Sequence, residues 1–497
     1  MRAEDLPSGA RRADADGLWN LVVIGAGPAG LAAARMAASL GARVALIERD
    51  LLGGGSLDSG CVPSKTLIRS SRVLADLDDA RRYGVAPLPP RDPREDERRF
   101  ADAMRRVRRV RARVGRACTA DELARVGVTP LFGEARFVDA RTVAVGGRRL
   151  RFAKALIATG ARPRSPEVEG LEAIGYLDAE RAFELERLPP RLLVIGGGPL
   201  GTELGQAFRR LGSTVTLVHD EAKFLPREER DAAQLLSDSM ARDGVRIRLD
   251  TRAVRAGRDA DGTRVELLQG GRRDSVTVDQ VIAGIGRTPR VDGLDLERAG
   301  IAVDPRAGIL VDDRLRTTNA RVYAAGDVCG EHRFAHVAEA TARVAVANAL
   351  FLGRRRASRL TVPWCTYTDP EIAHVGLYVD EANRRGLPVK TYTVLMHEVD
   401  RAITDGEEQG FVKVHVRGGS DRILGATIVA RHAGEMIGEI TLAMQRGIGL
   451  ASLSRVIHCY PTQAAAIKAV ADACAEDRLT PLRRALSERW LRRCRRD

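Results

Sequence analysis

Near the N-terminus the chain carries Leu21-Val22-Val23-Ile24-Gly25-Ala26-Gly27-Pro28-Ala29-Gly30, and its predicted architecture follows from these ten residues. The first four form a short, continuously apolar run, which is typical of a parallel strand buried on both faces. Gly25 permits a tight turn, Gly27 lets a pyrophosphate approach the backbone, and Gly30 permits close packing of helix against strand. An alanine-rich helix is then predicted to run to Leu40. The stretch therefore predicts the first half of a βαβ unit.

A second strand, Arg43–Ile47, completes this unit and ends at Glu48, eighteen residues after Gly30. The N-terminus of the intervening helix, at Pro28 and Ala29, offers free N–H groups and a positive dipole end to phosphates. The Glu48 carboxylate can accept hydrogen bonds from both hydroxyls of a ribose. A lone GxGxxG is weak, but here the strand, the helix and the acid all stand at the expected distances, so we predict dinucleotide binding.

A second βαβ unit begins at Arg191, about 170 residues after the first. It comprises a strand at Leu192–Ile195, a turn Gly196-Gly197-Gly198-Pro199-Leu200-Gly201, a helix to Leu211 and a strand at Val215–Val218. Two such units predict two nucleotides bound face to face. That arrangement suits hydride transfer from a nicotinamide to a flavin.

The end of this second unit bears on the choice of coenzyme. NAD-preferring sites usually place an acid there to hold the ribose 2′-hydroxyl, and this chain has His219. Lys223 and Arg227 follow, with Asp220 and Glu221 before them. The loss of the acid and the nearby cations favour NADPH, and NADH stays open.

Composition predicts a soluble protein of three or four domains, with 497 residues, 44% of them apolar and 29% charged. The net charge of +14 is interpreted as a solvated, arginine-rich surface, and no nucleic-acid partner is predicted because no matching motif accompanies it. The seven cysteines are too scattered for a zinc site or disulfide framework, so we predict no metal and a cytoplasmic location. Residues 1–19 lack the apolar core of a signal peptide, and no run reaches the roughly 18 apolar residues of a membrane span.

The segment after the first βαβ unit is Gly53-Gly54-Gly55-Ser56-Leu57-Asp58-Ser59-Gly60-Cys61-Val62-Pro63-Ser64-Lys65. It resembles the active-site segment of the pyridine nucleotide–disulfide oxidoreductases, the family of dihydrolipoamide dehydrogenase, glutathione reductase and mercuric reductase. That family has two cysteines here, five positions apart. This chain keeps the second, Cys61, and has Ser56 at the first. The resemblance covers about residues 21–475.

The resemblance implies an α/β fold with two Rossmann-type nucleotide-binding domains and a C-terminal α+β dimerisation domain, and therefore a homodimer. The implied FAD-binding domain is formed by two separate segments (21–165 and 291–356), and the NAD(P)H-binding domain (166–290) lies between them in sequence. An N-terminal extension (1–20) precedes them, and the interface domain (357–475) and a basic amphipathic tail (476–497) follow. Residues 66–120 are implied to be a helical excursion with a long helix from about Asp96 to Arg116, and 127–152 suggest a small antiparallel hairpin layer.

Further short motifs fit the family in order and spacing. Thr159-Gly160 ends a strand that returns to the flavin domain, Asp327 would bond the ribityl chain, and Ala335–Ala338 would pass beneath the isoalloxazine. Arg290 stands where the family usually has asparagine. The cofactor-binding residues implied by the two glycine-rich units and the resemblance are Gly25, Gly27, Pro28, Ala29, Gly30, Glu48, Gly54, Gly55, Gly60, Lys65, Ala135, Thr159, Gly160, Gly196, Gly198, Gly201, His219, Gly286, Arg287, Gly326, Asp327, Ala335, His336 and Ala338.

Three residues match the flavin side of the family's active site. Cys61 corresponds to the cysteine that forms a charge-transfer thiolate, and it opens a helix, where a thiol pKa falls below ~8.5. Lys65 and Glu203 correspond to the buried ion pair beside flavin N5. Ser56 can neither form a disulfide nor exchange with a thiol, so the family's disulfide chemistry is not available from this segment.

The other half of the family's site is His-x-His-Pro-Thr-x-x-Glu, and this chain has His458-Cys459-Tyr460-Pro461-Thr462-Gln463-Ala464-Ala465. Tyr460 therefore replaces the base and Ala465 its orienting glutamate. Tyrosine, with a pKa near ~10, is a poor base at neutral pH. In a strand-like segment His458 would point the same way as Tyr460, which makes it a fallback base.

We therefore expect an FAD-dependent NAD(P)H oxidoreductase that passes a hydride to FAD and on to a small-molecule acceptor: a quinone, oxygen, or a metal or thiol compound reached through Cys61. One alternative is a non-catalytic nucleotide-binding redox sensor, motivated by the losses at Ser56, Tyr460 and Ala465. Another is a mercuric reductase that uses Cys459. The tail, with leucines and Trp490 among arginines, would make a weak contact with an anionic membrane surface or pack on the protein body.

Overall fold

The structure is a computed structural model that describes residues 17–87, 89, 92–178, 180–351, 353–479 and 481–495. It comprises two compact units. The first takes the described residues of Met1–Ala75, Leu88–Asp220 and Asp250–Leu360, and the second those of Asp76–Pro87, Glu221–Leu249 and Thr361–Asp497. Residues 1–16 of the predicted N-terminal extension lie outside the described residues. The predicted domain boundaries stay a prediction.

The strands are β1 (Trp19–Ile24), β2 (Val44–Glu48), β3 (Val128–Phe132), β4 (Ala135–Asp139), β5 (Thr142–Val145), β6 (Arg148–Ile157), β7 (Ala161–Pro163), β8 (Arg191–Ile195), β9 (Thr214–Val218), β10 (Arg246–Arg248), β11 (Thr251–Asp259), β12 (Gly262–Gln269), β13 (Arg272–Val278), β14 (Gln280–Ala283), β15 (Arg287–Pro289), β16 (Val303–Asp304), β17 (Gly308–Ile309), β18 (Val322–Ala324), β19 (Pro363–Thr366), β20 (Glu371–Gly376), β21 (Val389–Leu395), β22 (Phe411–Arg417) and β23 (Ile423–Ala430).

The α-helices are α1 (Pro28–Ser39), α2 (Gly54–Asp58), α3 (Cys61–Asp78), α4 (Pro93–Gly115), α5 (Ala120–Arg125), α6 (Leu171–Ile174), α7 (Pro199–Leu211), α8 (Arg230–Asp243), α9 (Ala335–Leu350), α10 (Val379–Arg384), α11 (Asp400–Thr404), α12 (Ala433–Arg446), α13 (Leu450–Leu453), α14 (Ala465–Asp477) and α15 (Pro481–Cys494).

The main sheet of the first unit places strand ends together. Strands β3, β2, β1 and β6 pair in that order and run parallel, and β18 pairs with β6, also parallel. Leu21 lies opposite Val44 on one side and Lys154 on the other. Because the carboxyl ends of parallel strands meet at one edge, the residues that follow β1, β2, β6 and β18 all lie along the same crevice.

The predicted hairpin layer at 127–152 is only partly correct. Strands β4, β5 and β6 are antiparallel neighbours, but β3 pairs parallel with β2. Val128 at the start of β3 is buried, so this strand extends the parallel sheet over the core instead of joining the hairpins.

Helix α1 packs beneath this sheet against α9. Both present alanines to each other, and Ala33 and Ala34 of α1 belong to the same buried cluster as Ala342 and Ala345 of α9. Small side chains bring the two helix axes close, which lets α1 begin directly under the glycine-rich turn. The predicted helix end at Leu40 is within one residue of the observed end at Ser39.

The second glycine-rich motif of the first unit lies on another parallel sheet, in which β8 pairs with β9 on one side and β14 on the other. Helix α7 follows β8, and His219 follows β9. An antiparallel meander, β11-β12-β13, continues the chain before β14. The prediction of two Rossmann-type arrangements is thus confirmed.

The second unit has a five-stranded antiparallel sheet in the order β19-β20-β23-β22-β21. Helices α12 and α14 cover it with an apolar core that includes Ile437, Ile440 and Val470. This is the α+β domain that the sequence predicts. No helix among the described residues is long and apolar enough to span a bilayer.

Candidate active site

A cavity of about 380 Å³ lies along the carboxyl edge of the main sheet in the first unit. Sixteen of the predicted cofactor-binding residues and the predicted catalytic residue Cys61 line it. They are Gly25, Gly27, Pro28, Ala29, Glu48, Gly54, Gly55, Gly60, Ala135, Thr159, Gly160, Arg287, Gly326, Asp327, Ala335, Ala338 and Cys61. The crevice geometry therefore gathers residues that lie more than 300 positions apart in sequence.

Two glycine loops form the floor of this cavity. A Cβ at Gly54 would lie 2.6 Å from Gly27 Cα, so the second loop has no room for a side chain where it meets the first. Gly54 also has a φ of +62°, which favours glycine. The bare backbone beside the N-terminus of α1 is the surface that a dinucleotide diphosphate needs.

Glu48 is held at the cavity by the backbone. Its Oε2 accepts from Ala26 N at 2.7 Å, and its Oε1 accepts from Arg49 N at 2.9 Å and Asp50 N at 3.0 Å. A carboxylate offers about four acceptor sites, so it can also accept from ribose hydroxyls. The side chain is oriented before any ligand arrives.

At the cavity wall, burial raises the pKa of Asp327, while the charges of Arg287 and Arg333 oppose that rise. Arg287 Nε and Arg333 Nε are buried and have no hydrogen-bond partner among the described residues. Buried donors of this kind need acceptors from a ligand. Together with the bare glycine floor, they fit the diphosphate and hydroxyls of FAD.

Lys65 and Glu203 meet across α3 and α7. Lys65 Nζ donates to Glu203 Oε2 at 2.8 Å, and the side chains are 33% and 4% exposed, respectively. Lys65 lies one helical turn after Cys61, which is the first residue of α3 and is exposed. Lys65 therefore carries a charge near the thiol end of the cavity, anchored by a buried carboxylate, although it does not itself line the cavity.

Ser56 lies in the short helix α2, and Cys61 begins α3. A Cβ at Gly60 would lie 3.3 Å from Ser56 Cα, so the turn between the helices is tight. All seven cysteines are free thiols. The described residues hold no cluster of three or more His, Cys, Asp or Glu side chains suited to a metal ion.

The second nucleotide-binding motif has the same close approach as the first. A Cβ at Gly201 would lie 2.0 Å from Gly196 O, as a Cβ at Gly30 would lie 1.7 Å from Gly25 O. His219 directly follows β9 and is 8% exposed. Its Nδ1 lies 3.4 Å from Gly197 N, and its Nε2 is buried with no partner among the described residues.

His219 Nδ1 also lies 3.4 Å from Asp220 Oδ1, so a backbone N–H and a carboxylate oxygen face the same ring nitrogen. The buried Nε2 is left beside the glycine loop without a partner among the described residues. Gly198 is the N-cap of α7, and Gly286 lies in the turn between β14 and β15.

The C-terminal motif differs from its prediction. Residues 457–463 do not form a strand. His458 Nε2 contacts Glu439 at 3.1 Å, whereas the Tyr460 hydroxyl donates to Asp400 at 2.8 Å. The two side chains therefore have different partners, and the strand geometry on which their common direction was predicted is not present.

The two predicted base candidates have different surroundings. The hydrogen bond to Asp400 raises the pKa of Tyr460 further above neutrality. His458 Nδ1 faces Val456 O at 3.2 Å, and its Nε2 faces the carboxylate of Glu439, so both ring nitrogens face acceptors. Sequence reasoning missed Glu439, which lies 19 residues upstream on α12 and carries no motif.

Gly30 and His336 do not line the cavity. Gly30 packs α1 against β1, as its close contact with Gly25 indicates, and His336 stacks on Phe334 with ring centroids 5.4 Å apart. Conversely, Glu180 and Arg290 line the cavity and were not predicted. Nothing in the sequence around Glu180 indicates a site residue. Arg290 was noted as a departure from the family's motif but was not predicted to bind a cofactor.

Comparison with known proteins gives two family matches. Residues 19–342 match the family described as pyridine nucleotide-disulphide oxidoreductase, and residues 362–471 match its dimerisation domain. The chain is 36% identical over 459 residues to a dihydrolipoyl dehydrogenase from Thermus scotoductus, covering 92% of this chain and 97% of that one. It is 32% identical over 462 residues to a mercuric reductase from Staphylococcus aureus, covering 92% and 82%.

Solved structures agree with these matches. LpdA from Mycobacterium tuberculosis superimposes with a TM-score of 0.82 at 29% identity, covering 92% of this chain and 99% of that one. The HOCl-induced flavoprotein disulfide reductase RclA from Escherichia coli gives a TM-score of 0.81 at 27% identity, covering 91% and 99%.

Proposed function

Since the chain belongs to the pyridine nucleotide-disulphide oxidoreductase family and is an FAD-dependent NAD(P)H oxidoreductase, we propose that it reduces a small acceptor by a route that needs no active-site disulfide. Its dimerisation domain supports a homodimer. One observation carries the proposal: Lys65 lies 2.8 Å from the buried Glu203, while Ser56 replaces one of the two thiols. The charge that favours a reduced flavin is retained and the thiol-exchange residue is not.

FAD, when bound, supplies the two-electron chemistry. The protein's own residues bind and orient it: the N-terminus of α1 binds the diphosphate, Glu48 the ribose, and Asp327 the ribityl hydroxyls. Lys65 holds a positive charge that favours an anionic reduced ring, and Glu203 keeps that ammonium in place. Cys61 contributes a thiol at the end of the cavity.

NADPH is the proposed coenzyme, with NADH as a weaker substrate. The support is His219, whose buried Nε2 has no partner among the described residues and which stands where NAD-preferring sites have a carboxylate. A carboxylate there would repel a 2′-phosphate, whereas an imidazole carries no negative charge. A cytoplasmic location, where NADPH is supplied, remains part of this proposal.

The acceptor is proposed to be a quinone, molecular oxygen, or a metal ion or thiol compound reached through Cys61. A Cu(II) complex has been solved for RclA from Escherichia coli, which has a TM-score of 0.80 and 27% identity to this chain over 90% of its length. That relative gives a reason to include Cu(II) among the metal ions tested.

An acceptor screen that follows NADPH oxidation at 340 nm tests the proposal. We expect turnover with a quinone, oxygen or a metal ion, and little with lipoamide or oxidised glutathione. A Ser56→Cys variant should gain disulfide activity if the thiol is all that is missing. Flavin that stays oxidised after anaerobic mixing with NADPH in a stopped-flow instrument would contradict the proposal.

Mercuric ion belongs in the same screen, because mercuric reductases are among the relatives and Cys459 is exposed. Mercury-dependent NADPH oxidation that is lost in Cys459→Ala but retained in Cys494→Ala would favour that acceptor. Cys494 is a matched control because it is also exposed.

The basic tail is proposed to make a weak contact with anionic membranes. Leu486, Trp490 and Leu491 of α15 are exposed among arginines. Co-sedimentation with anionic liposomes should decrease when residues 478–497 are deleted and when Trp490 and Leu491 become serine. Equal binding of the full and shortened chains would contradict the contact.

A further inference from the structure

Arg290 stands where the family usually has asparagine, and the backbone fixes it beside the cavity. Arg290 N donates to Gly160 O at 2.9 Å, and Thr159 Oγ1 donates to Arg290 O at 2.6 Å. The residue thus bridges the ends of β15 and β6, and its side chain lines the cavity. A long cationic side chain therefore occupies the place of a short amide.

Arg290 shares its ion-pair partner with a second arginine. Glu180 Oε1 lies 3.4 Å from Arg287 Nη2 and 3.5 Å from Arg290 Nη2, so two guanidinium groups share one carboxylate. Their side chains are 28% and 30% exposed, respectively. Both remain charged, because arginine does not lose its proton in proteins.

A second acid at this wall is opposed by its own cations, because the charges of Arg287 and Arg333 act on Asp327. Glu180 and Asp50 act on Arg290 as acids and Arg49 and Arg287 as cations, and of these acids Glu180 is within ion-pair distance. A partly buried guanidinium that shares its contacting carboxylate with a second guanidinium has N–H donors available to a further anion.

The anion that this cavity is built to hold is the diphosphate of a dinucleotide. The N-terminus of α1 and the bare backbone at Gly27 line the same cavity. A guanidinium matches phosphate oxygens in a bidentate manner, which neither asparagine nor lysine does. We infer that Arg290 is a further FAD-binding residue, which adds a guanidinium to the diphosphate site at the N-terminus of α1.

In this arrangement Glu180 is a positioning residue. It holds the two guanidinium groups at one wall until the cofactor enters, and Arg287 keeps its bond to Ala161 O at 2.6 Å throughout. Arg290 takes no part in hydride transfer. The inference depends on FAD in this cavity and not on the identity of the acceptor.

The test compares flavins with and without a diphosphate. The full-length chain is stripped of flavin and titrated with FAD or riboflavin, and binding is followed by flavin fluorescence. Arg290→Asn should weaken FAD binding by about tenfold to about a hundredfold, as expected for a hydrogen bond to a charged group, and leave riboflavin binding unchanged. The FAD affinity of Arg290→Lys should lie between those of the parent and Arg290→Asn.

A matched control is Arg164→Asn, which removes an exposed arginine just after β7 that does not line the cavity. FAD affinity should not change in this variant. Parent-like FAD affinity in Arg290→Asn would overturn the inference, as would equal loss of FAD and riboflavin, which indicates a structural role. Circular dichroism checks the fold. If Arg290→Asn does not fold, the FAD affinity of Arg290→Lys is the deciding measurement. A parent-like FAD affinity in Arg290→Lys would then overturn the inference.

Failure of the proposed function can be distinguished from failure of this inference, because the FAD and riboflavin titrations contain no NADPH and are read whether or not the protein turns over. A parent that binds FAD through Arg290 but oxidises no NADPH would contradict the proposed function and leave this inference standing.

Discussion

His219 Nδ1 lies 3.4 Å from Gly197 N, at the position where Glu48 Oε2 accepts from Ala26 N at 2.7 Å in the first motif. The two glycine loops thus use the same tether, from the second residue of the turn to the residue that ends the second strand. In one the tether is a carboxylate and in the other an imidazole. The backbone arrangement is shared, but the charge presented to a ribose differs.

A change of coenzyme preference is expected from this difference. His219→Glu should lower kcat/KM for NADPH relative to NADH by about tenfold or more, because a carboxylate repels the 2′-phosphate and binds the 2′-hydroxyl. His219→Gln, which introduces no negative charge, should preserve the ratio of kcat/KM for NADPH to kcat/KM for NADH. Steady-state kinetics with both coenzymes measures it, and binding of 2′,5′-ADP against AMP isolates the adenosine half. An unchanged ratio in His219→Glu would contradict this role.

Removal of the Lys65 charge should slow flavin reduction. In Lys65→Met the buried carboxylate of Glu203 loses its partner and the reduced flavin loses a nearby cation. We expect the stopped-flow reduction rate with NADPH to fall by about tenfold to about a hundredfold. Lys468→Met, which breaks an exposed pair with Asp472, is the control and should leave the rate unchanged. Equal rates in both variants would remove Lys65 from the mechanism.

The thiols should differ in reactivity. Burial, together with the charge of Asp327, raises the pKa of Cys329 to about 12, whereas Cys61 and Cys494 are exposed. Iodoacetamide at pH 8 should label the last two and spare Cys329 until the protein is denatured. Because Cys61 lines the cavity, bound FAD should slow its labelling and leave Cys494 unaffected. Mass spectrometry of tryptic peptides provides the measurement, and flavin-independent labelling of Cys61 would be inconsistent with the cavity as the FAD site.

Acid should destabilise the second unit through Glu229. Burial favours the neutral form, but the hydrogen bond and charges of His415 and Lys413 outweigh it and lower the pKa to about 2. An unfolded glutamate titrates near ~4.3, so this stabilisation is complete above that pH and is lost as the pH falls towards 2. The contribution is about 3 kcal/mol at most.

Urea unfolding at several pH values between 5 and 2.5 tests this. Glu229→Gln should have a lower free energy of unfolding than the parent at pH 5, and this free energy should fall less steeply as the pH decreases. The adjacent Glu228 is a matched control of opposite sign: burial raises its pKa, against the hydrogen bonds from Tyr378 and Trp364. Protonation of Glu228 therefore favours the folded state as the pH falls. The free energy of unfolding of Glu228→Gln should accordingly fall more steeply with decreasing pH than that of the parent. The same dependence of the free energy of unfolding on pH in both variants would contradict the opposite pKa shifts assigned to Glu228 and Glu229.

The sequence predicts the regions of this protein that depend on local pattern. The strand, turn and helix around Gly25 and those around Gly196 are predicted within a residue or two, because apolar runs and glycines act over a few positions. The Lys65–Glu203 contact spans 138 residues and was predicted only through the family resemblance. A family resemblance can predict contacts between residues that are distant in sequence, whereas the periodicity of a sequence cannot.

Contacts that neither pattern nor resemblance encodes were missed. Glu180 meets Arg287 and Arg290 because a loop and a strand end converge on the cavity, and nothing near Glu180 in sequence signals that. Glu439 meets His458 for the same reason. The expectation of a strand-like segment at His458–Tyr460 was wrong, because a stretch of three residues is too short for periodicity to distinguish a strand from a loop.

The single thiol at Cys61 sets how many electrons each protomer can hold. A family member with a disulfide beside its flavin stores two electrons in the ring and two in the sulfur pair. With Ser56 in place of the first cysteine, the store in the proposed route is the flavin alone, two electrons per protomer. Such a protein has no reservoir in which to keep electrons between encounters, so each nicotinamide oxidised must be matched by an acceptor before the next can react.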